Sequence, residues 1–62
     1  MTNEEKAIIY DNCLRESDNL QRENSKLKSE NAGNIPFDKQ LIIDNNNARI
    51  AVLVQRLESL FQ

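Results

Sequence analysis

The only glycine and the only proline of the chain, Gly33 and Pro36, lie within four residues of each other in Asn31-Ala32-Gly33-Asn34-Ile35-Pro36. Glycine accepts the left-handed backbone at which helices commonly end. Proline fits the first turn of a helix but not its interior. The chain therefore reads as helix, stop, helix. This is an all-α helical hairpin, with a first helix over about 3–31, a turn over 32–35 and a second helix over about 36–61. So short a turn makes the two helices antiparallel neighbours. Thr2, ahead of Glu4 and Glu5, suits the first N-cap. Asn34 or Ile35 is the expected second N-cap, with Asp38 in the first turn near the positive end of the helix dipole.

Sixty-two residues make one domain, 1–62, and only 39% of them are apolar, with three aromatics. A chain of this size has too small a core to offset chain entropy comfortably, and a lone Cys13 cannot cross-link it internally. The remedy left is self-association into a helical bundle. Catalysis has no foothold. Without His there is no Ser/His or Cys/His pair and no His/Cys zinc site, and one glycine cannot build a phosphate loop. A non-enzymatic chain with no cofactor and no metal is expected. Cys13 shares a stripe with Ile9 and Leu20 and reads as a small core hydrophobe.

A net charge of -2 and a pI near 4.9 give no basic footprint for nucleic acid or for an anionic membrane. The stretch Ala48–Leu53 is too short to span a bilayer. Met1–Tyr10 lacks the basic-then-apolar order of a signal peptide. The expectation is a soluble cytoplasmic protein with a reduced thiol.

At 100° per residue, Ile9, Cys13, Leu20 and Leu27 form a stripe about 40° wide on the first helix, with Asn24 on its edge. The second helix carries a broader band, in which Ile42, Ile43, Ile50, Leu53, Val54, Leu57, Leu60 and Phe61 cover about 120°. In it Ile43, Ile50 and Leu57 are seven apart, as are Asn46, Leu53 and Leu60, so the two sets are the a and d positions of a heptad seam. The ten residues Ile9, Cys13, Leu20, Leu27, Ile43, Asn46, Ile50, Leu53, Leu57 and Leu60 are expected to form the oligomer seam. Because the thin stripe cannot cover the broad band, the missing apolar surface is expected from another copy. Asp44-Asn45-Asn46-Asn47 are poor helix formers. A break with a new cap near Asn46 is the rival reading, but the heptad phase passes through the run and favours one continuous helix.

Polar residues on the seam are register devices, because any other alignment leaves a buried amide unpaired. Asn24 lies between Leu20 and Leu27, and Asn46 between Ile43 and Ile50. Glu5, Glu16, Glu23 and Glu30 line one flank of the first stripe, and Arg49 and Arg56 a flank of the second, a pattern suited to Glu–Arg pairs between helices. Arg15, Arg22 and Lys26 make a small basic stripe. Asp11 and Asp18, each four residues before an Arg, mark it as a salt-bridged solvent face with a weak RNA contact as the alternative. Ile8 and Leu14 fall away from the seam. So do Phe37, Leu41 and Val52, which cluster on the second helix as a partner-docking patch; if that helix breaks at the Asn run, Phe37 and Leu41 fold into the core instead. The closing Leu-Glu-Ser-Leu-Phe-Gln is similar to the tail left by a picornaviral protease used to remove fusion tags. Leu57 and Leu60 nevertheless continue the seam in phase, which reads as native sequence.

The length, the single turn and the start MTNEEKA resemble the plasmid copy-number hairpin proteins, which dimerise into four-helix bundles and bind RNA. The texture of MTNEEKAIIYDNCLRESDNLQREN and of the turn NAGNIPFDKQ is similar to the small accessory proteins of the exo–xis region of lambdoid phages. That resemblance implies an early protein of the host cytoplasm that favours lytic development by binding a host protein. Three functions are thus in view: an interaction module working as a homo-oligomer, an RNA-binding bundle, and a structural coiled-coil assembly factor.

Overall fold

The structure, a computed structural model, describes residues 1–61; Gln62, the last residue of the tag-like tail, lies outside them. Two helices, α1 (Asn3–Glu30) and α2 (Phe37–Leu60), fold back on each other as an all-α hairpin. The result is a rod of 46 × 14 × 13 Å. Among the described residues there is no strand.

Each helix end follows from its local sequence. Thr2 is extended, and its Oγ1 accepts the Glu5 N–H at 3.1 Å while the same hydroxyl donates to Glu5 Oε1 at 3.2 Å. Glu4 and Glu5 occupy the first turn, where carboxylates meet the positive end of the dipole. At the other end Asn31 is the C-cap, and both its backbone N–H and its side-chain Nδ2 donate to Leu27 O, at 3.2 and 2.8 Å. The chain then turns through Gly33 at φ +92°, a backbone that a side chain strains even though open space surrounds the position.

The start of α2 corrects the sequence reading. The N-cap is Pro36, not Asn34 or Ile35, and no side chain caps the helix. Pro36 sits at φ -57°, ψ 151°, and its carbonyl accepts the Gln40 N–H at 2.9 Å. The fixed proline φ already suits the last extended position before a helix, so the ring stands one residue earlier than expected. Against the expected 3–31 and 36–61, α1 is shorter by Asn31, its C-cap, and α2 by Pro36 and Phe61, its two caps.

α2 runs unbroken through Asp44–Asn47. Asn46 and Asn47 both bond to α1 side chains, and Gln40 Nε2 donates to Asp44 Oδ1 one turn away at 2.9 Å. These bonds offset the poor helix propensity of the run.

The expected seam lies between α1 and α2 of a single chain. Cys13, Ile43, Leu53 and Leu60 are buried, with Ile43 and Leu53 the most enclosed. Ile9, Leu20, Leu27, Ile50 and Leu57 are half-buried. Two polar residues join them inside, Asn24 and Asn46.

Candidate interaction site

The middle of the seam is polar and hydrogen-bonded. Asn46 Nδ2 donates to Asn24 Oδ1 at 2.9 Å and to Glu23 Oε1 at 2.7 Å, and Asn24 Nδ2 donates to Asn47 Oδ1 at 2.9 Å. Among the described residues, no buried side-chain nitrogen or oxygen lacks a partner. Sequence reasoning placed Asn24 and Asn46 on their seams separately; the structure brings them together. The pair fixes the offset of the two helices within the chain. A slide by one turn would bury amides beside Leu20 or Ile50 with nothing to bond, at a cost of about 1–3 kcal/mol for each group.

The register puts Leu27 level with Ile43 and Leu20 level with Ile50, which stand in matching steps on either side of the amide pair. It also sets which flanks lie side by side. On one flank, seven-residue steps give Ile9, Glu16, Glu23 and Glu30 on α1 and Ile42, Arg49 and Arg56 on α2. Arg49 bonds Glu16 here through two parallel contacts, Nε to Oε1 at 3.1 Å and Nη2 to Oε2 at 3.2 Å. This is the expected Glu–Arg lane. Of its other acids, Glu23 takes the Asn46 amide, Glu30 sits 3.9 Å from Lys26, and Glu5 closes the first cap.

The opposite flank is chemically different. The same steps give Ala7, Leu14, Gln21 and Lys28 on α1 and Gln40, Asn47, Val54 and Phe61 on α2. Lys28 is its single charged residue. Leu14 and Val54 are each 43% exposed, and Phe61 is 74% exposed. Tyr10 joins the flank by an edge-on contact with Phe61, ring centroids 5.9 Å apart. At this open end of the rod a shallow depression is lined by Asn3, Lys6, Ala7, Tyr10, Leu60 and Phe61. Sequence reading singled out Leu14 only as a stray apolar residue, counted Val54 and Phe61 within the broad band, and passed over Tyr10. The signal that finds this flank is the second heptad series beside the seam, and it becomes visible once both helices are considered together.

A third surface runs along the outside of α2. Phe37, Leu41 and Val52 are all exposed there, and the uninterrupted helix keeps them out of the core. Arg15 and Arg22 are held by Asp11 and Asp18 at 3.1 and 3.0 Å, and Lys26 faces Glu30. The basic stripe is therefore interleaved with its own counter-charges. Cys13 is a buried free thiol.

Among the described residues no group of three or more His, Cys, Asp or Glu side chains is placed to hold a metal ion, and no helix is long and apolar enough to cross a membrane. Comparison with known proteins gives no match among protein-family models, curated proteins or solved structures.

Proposed function

We propose that the chain is a non-enzymatic protein–protein interaction module that works as a homo-oligomer, a small helical regulator presenting helix faces to a partner protein. One observation carries this reading. Among the described residues four apolar side chains are buried, whereas ten large ones, from Ile8 to Phe61 and including Met1, stay more than a third exposed. Apolar surface in that proportion is what an association element leaves uncovered when it is seen alone.

The resemblance of Met1–Asn24 and of the turn to phage exo–xis accessory proteins supplies the setting: a host protein as partner, the host cytoplasm as location, and favoured lytic development as outcome. The outer α2 stripe, Phe37, Leu41 and Val52, is the surface assigned to that partner. The RNA-binding alternative draws less support, because Arg15, Arg22 and Lys26 each have an acid within reach on their own helix. An assembly-factor role would use the same surfaces as the adaptor role.

Sedimentation equilibrium of the full chain, paired with affinity capture from the host, tests the proposal. The expected result is a concentration-dependent oligomer whose partner is lost in the Leu41→Glu/Val52→Glu variant while helicity is kept. A cooperatively folded monomer at every concentration would overturn it. Gel shifts with structured RNA at low and high salt address the alternative, since phosphate contacts weaken steeply with salt.

A further inference from the structure

We infer that the neutral flank of the hairpin is a self-association face. On it two copies pack with a two-fold axis along the rod, so that α1 of one lies over α2 of the other and both turns point to the same end. This rests on the homo-oligomer reading above and adds to it the face and the orientation.

Area comes first. A compact folded chain of 7.2 kDa is expected to expose about 4,100 Å². This one exposes 4775 Å². The excess is on the order of the ~800 Å² that each partner gives up in a standard interface. The hairpin is a two-helix layer, and a four-helix bundle is its natural closure.

Charge selects the flank. Glu16, Glu23, Glu30, Arg49 and Arg56 stand on one side of the seam, and Arg49 and Glu23 already have partners there within the chain. Burying that side against a copy would desolvate five charges. The other side offers Leu14, Val54, Phe61 and Tyr10, with Lys28 at one end and Lys6 on the rim of the depression at the other, two charges against five.

Register selects the orientation. A two-fold axis along the rod keeps levels aligned and sets α1 against α2 of the partner. Ala7 then meets Phe61 of the second copy, Leu14 meets Val54, Gln21 meets Asn47, and Lys28 meets Gln40. Small faces large, aliphatic faces aliphatic, amide faces amide. The depression lined by Lys6, Ala7, Tyr10 and the chain's own Phe61 then faces the Phe61 of the second copy, so the two exposed rings close this end together. A two-fold axis across the middle of the rod, the position that keeps the whole flank covered, instead sets α1 on α1 and α2 on α2. Ala7 would then oppose Lys28, Leu14 would oppose Gln21, Asn47 would oppose Val54, and Gln40 would oppose Phe61. Each apolar side chain on α2, and Leu14 on α1, would face an amide. The chemistry of the flank thus fits the first arrangement and not the second.

Two single variants of the full chain, Leu14→Glu and Val54→Lys, test this by sedimentation equilibrium and far-UV circular dichroism. Both positions are partly exposed, and both variants should weaken the homodimer at least tenfold. Mixed in equal amounts, they should form a one-to-one heterodimer and regain its mass and helicity, because Glu at 14 then faces Lys at 54. The pairing reads out whether or not either variant folds alone. Ile42→Lys, on the charged flank, should leave the dimer constant within a factor of three. If the wild-type chain is monomeric up to millimolar concentration, both the oligomer reading and this inference fall. If it dimerises but Leu14→Glu and Val54→Lys dimerise as well as wild type, only the choice of face is overturned. If both weaken but the mixture recovers nothing, only the orientation is overturned.

Discussion

The two flanks of this hairpin share a seam and a register, yet they differ in what they leave for solvent. The charged flank closes its chemistry within the chain: Arg49 on Glu16, Asn46 on Glu23. The neutral flank leaves leucine, valine and phenylalanine in the open. On the association proposed above, the difference separates two tasks, holding the chain's own helices together on one flank and meeting a second copy on the other. Ion pairs at seam flanks contribute little energy but penalise wrong alignments. Apolar flanks contribute energy to any partner that fits. The Glu23–Asn46–Asn24–Asn47 network crosses the seam from one flank to the other and keeps the two in fixed relation.

The largest effect is expected where the flanks depend on a common support. Leu53 is 1% exposed. Leu53→Ala should destabilise the fold by about 2–5 kcal/mol, and the helicity of both helices should be lost together in a urea titration. The adjacent Val54→Ala, on the neutral flank, should cost the hairpin itself under about 1 kcal/mol, since a partly exposed side chain loses less burial. Equal losses at the two positions would mean that the seam and the neutral flank are not separate surfaces.

Next in size is the bridge between flanks. Asn46→Leu leaves the carbonyl of Asn24 and the carboxylate of Glu23 without their shared donor. Urea unfolding should report a loss of about 1–3 kcal/mol. Replacing both amides, Asn24→Leu with Asn46→Leu, removes the two buried polar side chains and leaves only Glu23 and Asn47, which are exposed to solvent, so it should recover most of that loss or exceed it. The double variant should also tolerate more than one helix offset, visible as extra amide peaks in a heteronuclear NMR spectrum. Independent effects in the double-mutant cycle would show that the two amides do not act as a pair.

These residues also mark where sequence was enough and where it was not. Gly33 and Pro36 announced the hairpin, because few backbones accept either inside a helix. The seven-residue steps from Ile43 to Leu57 and from Asn46 to Leu60 announced the seam. Glu16 and Arg49 could be read as opposing lanes. The mutual bond of Asn24 and Asn46 could not be read, because it depends on how far α2 is offset along α1, and neither helix's own pattern states that offset. The neutral flank was hidden for a related reason. A wheel drawn for one helix ranks Leu14 and Val54 by distance from its own stripe; it does not know which flank of the other helix lies alongside. The cap at Pro36 escaped because side-chain capping preferences say nothing about a position where the ring alone fixes the backbone.

A smaller effect is expected on the charged flank. Arg49 and Glu16 are about two-fifths exposed, so solvent screens their paired contact. Arg49→Ala should cost about 0.5–1 kcal/mol in low salt and less in molar salt, measured by thermal unfolding. Association through the neutral flank should keep its strength, or gain slightly, over the same change of salt, because apolar burial is not screened. A dimer that dissociates as salt rises would place the charged flank in the interface and reverse the assignment of the two faces.

The smallest effect separates both flanks from the outer surface of α1. Arg15 and Arg22 pair with Asp11 and Asp18 one turn earlier, with side chains more than half exposed throughout. Such pairs contribute about 0.3–0.5 kcal/mol each. Arg15→Gln and Arg22→Gln should therefore lower the unfolding free energy by no more than that, and additively, since the two pairs share no partner. Neither change should alter the association constant, because both residues lie away from the seam and from the neutral flank. A loss of association in Arg22→Gln, with helicity unchanged, would move the interface onto the outside of α1 and remove the distinction between a charged and a neutral flank.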